Sequence, residues 1–176
     1  PYDRANTSMT GIKQCPICLE EYHLVTDHRH HSQTNSCKSC AIQMHLYNEK
    51  QEEITCNQDQ IPKLLANLVQ EGKILALKAV GGYLLVCDAA NKEAVAELRK
   101  RKHRPSKPFA LLYADIEMLQ ADLSINTTEL SALKDKTAPI VLCNIKNYPE
   151  NNLDLEGIAP GLSRLGAMLP ASPLLQ

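Results

Sequence analysis

Cys15-Pro16-Ile17-Cys18 and Cys37-Lys38-Ser39-Cys40 make a C-x2-C-x18-C-x2-C pattern, and its reading decides how the first third of the chain folds. Each Cys-x-x-Cys pair can form a knuckle that sets two thiolates on one side of a tight turn. Two knuckles supply the four soft ligands of a closed tetrahedral Zn2+ site, with sulfurs about 2.3 Å from the metal. The intervening loop is short enough to fold back at little entropic cost. Four thiolates leave no open position for water, so the zinc that suits this set is structural and not catalytic. Disulfides or free thiols are the competing readings, and a four-iron cluster uses other spacings. His28, His30 and His31 lie in the loop, either as substitute ligands or as exposed side chains. Saturation of the metal by four cysteines favours the second. Cys56, Cys87 and Cys143 read as small buried apolar residues, because no Cys–His pattern surrounds them.

Working outward, residues 1–56 hold five of the seven cysteines and five of the six histidines and sustain neither a helical nor a strand period. Such a segment needs a staple to fold, which the four thiolates would provide. Residues 57–176 have the composition of an ordinary α/β sequence. Phe109 is the only Phe and there is no Trp, so the core must be built mainly of Leu, Ile, Val and Ala. A formal net charge of −1 excludes a globally basic nucleic-acid binder and leaves only a local patch. No stretch approaches the roughly eighteen unbroken apolar residues of a membrane span. The odd cysteine count without a secretory leader fits a reducing, cytoplasmic setting. Pro1-Tyr2-Asp3-Arg4 lacks an initiator Met and suggests a piece of a longer polypeptide.

In the second zone Ile61, Leu64, Leu65, Leu68 and Val69 recur at the spacing of one buried helix face, with Pro62 in the first turn and Gly72 as the stop. Apolar strands are expected at residues 74–79 and 83–87, around Gly81-Gly82. Asn91 can cap a helix running to about His103, and Pro105 prevents its continuation. Residues 109–113 read as a strand, 115–123 and 127–134 as helices, and 139–143 as a further buried strand. The tail from Gly157 is rich in Gly and Pro, with one short apolar run near Ala167–Leu169. The expected fold class is therefore mixed α/β (α+β), a small four-cysteine zinc module followed by a sheet domain with helices.

Residues 99–107 read Arg-Lys-Arg-Lys-His-Arg-Pro-Ser-Lys, six cationic residues in nine. They can clamp phosphate or carboxylate oxygens through charge-assisted hydrogen bonds, or they can be a basic helix end that complements its own dipole. Pro105 and Pro108 stiffen the exit loop and tilt the choice toward the clamp. Lys78 ends an apolar strand just before Gly81 and Gly82, where backbone can approach a ligand closely. The plainer reading is a hairpin around a Gly-Gly turn.

Taken in order, the opening Pro1-Tyr2-Asp3-Arg4-Ala5-Asn6-Thr7-Ser8-Met9, the cysteine pattern, Lys78-Ala79-Val80-Gly81-Gly82-Tyr83 and Cys87-Asp88-Ala89 match one family. So do Arg101-Lys102-His103-Arg104-Pro105-Ser106-Lys107-Pro108-Phe109-Ala110, Ala159-Pro160-Gly161-Leu162, Leu165-Gly166 and Met168-Leu169-Pro170. The chain resembles the hydrogenase-maturation carbamoyltransferase family, HypF, collinearly over nearly its whole length. The resemblance implies a C4 zinc module at 1–56, the second of two in the family, and a YrdC-like domain at 57–176 that is truncated before the family's S-x-N element. It implies carbamoyl phosphate and ATP as substrates, with Mg2+, and carbamoyl-adenylate as the intermediate. The carbamoyl group would pass to a hydrogenase-maturation partner with a C-terminal cysteine and become a cyanide ligand of a nickel–iron centre. Lys102 and Arg104 match the family's K-x-R element for phosphate and carboxylate oxygens, and Lys78, Lys107, Gly81 and Gly82 would complete the nucleotide and carbamoyl site. A piece of this extent is expected to be inactive by itself.

The chain departs from the family pattern at Ala79, where Gly is usual, at Leu84, where His is usual, and at Ala41-Ile42, where Gly-Pro is usual. Ala171-Ser172 stands where Tyr-Thr is typical, and Gln176 at or before a His-rich end. Two other readings remain at this level. One is a zinc-containing RNA-binding module, against which the net charge and the lack of interleaved aromatics count. The other is a relative that makes threonylcarbamoyl-adenylate for tRNA, which would not carry the zinc module.

Overall fold

The computed structural model describes residues 3–79 and 82–175. The chain divides into two compact units, Pro1–Gln58 and Asp59–Gln176. The fold is mixed α/β.

The first unit has almost no apolar interior. Among its described residues the buried apolar side chains are Cys18 and Tyr22, and beside them Arg4 and Asn35 are buried too. Polar bonds do the joining. The Arg4 guanidinium donates to the carbonyls of Gln33 and Ile12, the latter at 2.7 Å. The Asn35 amide donates to the Cys18 carbonyl at 3.0 Å and to Glu21 at 3.1 Å. The Tyr22 hydroxyl donates to Asp3 and accepts from Gln33 Nε2. Helix α1, Pro16–His23, runs through the middle of this network. Sequence periodicity gives no hint of α1, because only Cys18 and Tyr22, one turn apart, face inward.

The second unit opens with α2, Ile61–Gln70. Its stop is Gly72 at φ +78°, with Gly72 N–H bonded to Val69 O and Lys73 N–H to Leu68 O, a left-handed cap that glycine adopts without strain. Strands β1, Leu75–Ala79, and β2, Gly82–Val86, pair antiparallel as a two-stranded sheet, with Lys78 opposite Tyr83. That is the pairing of the plainer reading, a hairpin. Helix α3, Lys92–Arg101, starts at Asn91, whose side chain accepts the Ala94 N–H at 2.9 Å.

Strands β3 (Ala110–Leu112), β4 (Leu123–Ser124), β5 (Val141–Ile145) and β6 (Arg164–Met168) form a second sheet in the order β3-β6-β5-β4. β3 runs parallel to β6, and β5 antiparallel to both β6 and β4. The period-2 alternation sends Leu111, Cys143, Leu165 and Ala167 to one face. There they meet Val95 of α3, Leu119 of α4 (Ile116–Asp122), Leu133 of α5 (Thr127–Leu133) and Ile158 of α6 (Leu155–Ile158). Asp115 caps α4, and Asn126 with Glu129 forms a complete capping box on α5. β6 takes in part of the apolar run expected near Ala167–Leu169, Leu123 begins β4 where a helix end is expected, and α6 is too short for a period to show. Cys143 is fully buried in this core, as a small apolar residue would be.

Candidate functional site

Cys15 is the N-cap of α1 and Cys18 lies in its first turn, with Pro16 at N1. The first pair is thus carried by a helix start, whereas the second is a tight turn: Cys40 and Ala41 N–H both donate to the Cys37 carbonyl. Cys37 N–H points at Cys40 Sγ, 3.4 Å away. All four sulfurs lie within 4.8 Å of one another, with Cys15–Cys37 at 3.6 Å and Cys37–Cys40 at 3.9 Å. A tetrahedral ion with metal–sulfur bonds of about 2.3 Å would place them about 3.8 Å apart, so the set fits one zinc-sized ion. A four-iron cluster, with sulfides between the irons, needs wider spacing.

The local field differentiates the thiols. The Ser39 backbone N–H, helped by the thiols of Cys15 and Cys18, holds Cys37 down at about 6. The Cys37 N–H likewise lowers Cys40. Burial, followed by bonding with the thiols of Cys37, Cys40 and Cys15, pushes Cys18 up to about 12. A divalent ion among them would displace the proton that Cys18 otherwise keeps. The loop histidines are elsewhere. His31 stacks on Tyr22 with centroids 5.2 Å apart, and its Nδ1 lies 3.7 Å from Asp3. His30 packs edge-on against His31, and His28 is exposed.

The basic stretch folds around two guanidiniums that turn inward. α3 ends at Arg101, and Lys102 caps it with its N–H on the Leu98 carbonyl. His103, at φ +48°, reverses the chain. Arg99 then donates from Nη1 to the carbonyls of Arg104 (2.7 Å), Lys107 (3.2 Å) and Pro105 (3.4 Å). Its Nε and Nη2 reach the carbonyls of Gly157 and Ile158 at the end of α6. Arg104, expected to point at an anion, is half-buried, and its Nε and Nη2 donate to the carbonyls of Lys107 and Pro108. Both guanidiniums lie over the Phe109 ring, at 4.6 and 5.2 Å from its centroid. Lys102 and Lys107 are exposed, and among the described residues their ammonium groups make no hydrogen bond or ion pair.

Gly157 matters to this arrangement, because a Cβ there would overlap the Asp154 carboxylate and sit 3.0 Å from Val95 Cγ1. Gly157→Ala is expected to cost about 1–3 kcal/mol through overpacking and to displace the carbonyl that Arg99 holds. A thermal melt matching the parent would show that Asp154 simply swings away.

Lys78 sits on the hairpin with its ammonium 5.4 Å from the centre of the exposed Tyr83 ring. Gly82, at φ +135°, pairs with Ala79. Gly81 lies outside the described residues. Among the described residues no hydrogen bond, ion pair or ring contact joins Lys78 to Lys102, Arg104 or Lys107. The candidate residues thus fall into two groups, one on the hairpin and one on the loop.

Sequence reading missed Asp122, which is completely buried. Its Oδ1 accepts the backbone N–H groups of Glu150 and Asn151, each at 3.0 Å. Its Oδ2 accepts the Asn151 amide at 2.9 Å and the Tyr113 hydroxyl at 3.0 Å. Burial, with Asp122 as neighbour, pushes the Tyr113 hydroxyl well above the ordinary tyrosine range. Four donors on one carboxylate make a structural clasp. The only sequence signal is an acidic residue at the end of an otherwise apolar helix face.

Comparison with known proteins places this geometry. Residues 67–176 match the Sua5/YciO/YrdC family, described as telomere recombination, and residues 15–47 match the HypF finger. The chain is 41% identical over 174 residues to the carbamoyltransferase HypF of Rhodobacter capsulatus, covering 99% of this chain and 22% of that protein. It superposes on the crystal structure of T. kodakarensis HypF with a TM-score of 0.83 at 36% identity, over 99% of this chain and 22% of that one. A full-length HypF in its phosphate- and nucleotide-bound form gives 0.81 at 38% identity, with the same coverage. The chain spans about a fifth of the length of the relatives it matches. It belongs to the Sua5/YciO/YrdC family, in the form found in the HypF carbamoyltransferases, where a HypF finger accompanies that domain.

Proposed function

We propose that this chain is the second zinc module and part of the YrdC-like domain of an ATP-dependent carbamoyltransferase of [NiFe]-hydrogenase maturation, with the domains at 1–56 and 57–176. The observation that carries the reading is the pair of exposed lysines, Lys102 and Lys107, whose ammonium groups have no partner among the described residues, on a loop whose carbonyls bind Arg99 and Arg104, in a chain that resembles a nucleotide-bound HypF. A carbamate oxygen derived from carbamoyl phosphate would attack the α-phosphorus of ATP. The bond from that phosphorus to its bridging oxygen would break, and pyrophosphate would leave carrying the electron pair. The thiol of a maturation partner's C-terminal cysteine would then attack the carbonyl carbon of carbamoyl-adenylate, the bond from that carbon to the phosphate oxygen breaking and AMP leaving with the electron pair. Lys102, Lys107 and the remaining Nη1 of Arg104 would hold phosphate and carboxylate oxygens, with Lys78, Gly81 and Gly82 contributing from the hairpin. Such preorganised cations stabilise developing charge without reorganising. Mg2+ would accompany ATP and neutralise its phosphates. Zn2+ on Cys15, Cys18, Cys37 and Cys40 would be structural, and the setting cytoplasmic.

The 176 residues alone would bind ATP weakly and transfer nothing, since attraction for phosphates is not positioning of a reacting carbamate. Replacing Lys102 or Lys107 with Ala should weaken ATP binding about tenfold each, the size of one charge-assisted hydrogen bond. In a full-length protein carrying this segment, Lys102→Ala should abolish carbamate-dependent pyrophosphate exchange and spare carbamoyl phosphate hydrolysis. Unchanged ATP affinity in both variants would refute the loop's role. RNA binding with a steep salt dependence would instead favour the RNA-module reading.

A further inference from the structure

We propose that Arg99 is the positioning residue of the basic loop: it does not touch the ligand but fixes where Lys102 and Lys107 stand. The inference rests on the reading of that loop as a phosphate-binding element. Five backbone carbonyls converge on this one guanidinium, three from the loop (Arg104, Pro105, Lys107) and two from the end of α6 (Gly157, Ile158). It therefore ties the loop to a core element, since Ile158 is buried in the main apolar cluster. The Phe109 ring supports it from one face and supports Arg104 as well, at 4.6 and 5.2 Å.

The physical argument is one of shape. A planar guanidinium presents five N–H donors in a fixed fork, more than any other side chain, and the fork can bind carbonyls on both sides of a gap at once. The loop carries Lys102, Arg104 and Lys107 within a few residues of one another, so their mutual repulsion opposes a closed turn. Carbonyl oxygens gathered onto Arg99 and Arg104 offset that repulsion and leave the two lysines pointing away. Arg101 makes a natural control. It is exposed, and its guanidinium pairs with Glu97 one turn back, at 2.7 Å, without contacting the loop.

The test uses the whole chain, with ATP as the probe. Arg99→Lys keeps the charge and removes the fork. The expected result is on the order of a tenfold loss of ATP affinity, as misplaced contacting groups produce, together with faster amide exchange at residues 102–108. Arg101→Lys should change neither. In the unmodified chain, the Arg99 Nε–H should exchange far more slowly than that of Arg101, a readout that needs no variant to fold. Arg99→Lys with parental affinity and loop protection, alongside weakened Lys102→Ala, would overturn the positioning role and keep the phosphate site. Parental affinity in Lys102→Ala and Lys107→Ala as well would overturn the site and the inference with it. Rapid exchange of the Arg99 Nε–H in the unmodified chain would overturn the inference directly.

Discussion

Chelating the metal is expected to unfold the first unit, Pro1–Gln58, while the second keeps its helices and sheets. The reason lies in what the first unit lacks. Among its described residues Cys18 and Tyr22 are the buried apolar side chains, and the other buried residues, Arg4 and Asn35, are polar. Two side chains cannot offset the conformational entropy of ordering so long a segment. Structural zinc in small modules supplies on the order of 10 kcal/mol of folding free energy. The α1 start would depend on the ion as well, since Cys15 caps it with no side-chain hydrogen bond and Cys18 lies in its first turn. Metal analysis should return one zinc per chain. Cys37→Ser, which removes the thiolate within 4 Å of both Cys15 and Cys40, should loosen the metal and open residues 3–58 to protease. Two zinc ions per chain, none, or a chelated protein with unchanged proteolysis would sink the four-cysteine site.

How far the residues announce their structure differs between the two units for a physical reason. In the second unit apolar periodicity and caps state several elements outright: Ile61–Gln70 and the Asn91 cap are legible, whereas Asp115 caps the helix it is expected to belong to, and the strand expected as buried at 139–143 is Val141–Ile145 with Leu142 exposed. Where burial is carried by polar groups or by single turns, the pattern is silent. α1 has two inward positions, and β6 contains Gly166 and begins with an exposed Arg164. The four cysteines are legible as a constellation because spacing alone constrains them. The basic run is legible only as charge: sequence does not say which guanidiniums turn inward. Arg99 and Arg104 bind carbonyls, while Lys102 and Lys107 face water, and that division follows from Phe109 and the end of α6, one adjacent in sequence and the other more than fifty residues away.

Asp122→Ala is expected to cost about 2–5 kcal/mol, at about 1–3 kcal/mol for each buried backbone donor left without an acceptor. The substitution strands two backbone N–H groups, at Glu150 and Asn151, and the Tyr113 hydroxyl, and leaves the Asn151 amide with the Met118 carbonyl alone. The two side chains can reorient toward water, but the backbone donors are fixed by the chain around them. With total stabilities of about 5–15 kcal/mol for a domain, the loss should lower the melting temperature by about 10 °C. Asp122→Asn separates acceptor geometry from charge. Its carbonyl can still take the two backbone N–H groups if it occupies the Oδ1 position, and the Tyr113 hydroxyl can turn to accept from the new amide. The Asn151 amide then faces another donor and keeps only the Met118 carbonyl, at 3.3 Å. Asp122→Asn should therefore fall between the parent and Asp122→Ala, and Tyr113→Phe should cost least, since it removes one donor and leaves three. Calorimetry on the three variants orders them. An Asp122→Ala protein melting within a degree or two of the parent would mean that water enters the site and replaces the carboxylate, and that the loop at Glu150–Asn151 is held by something other than this clasp.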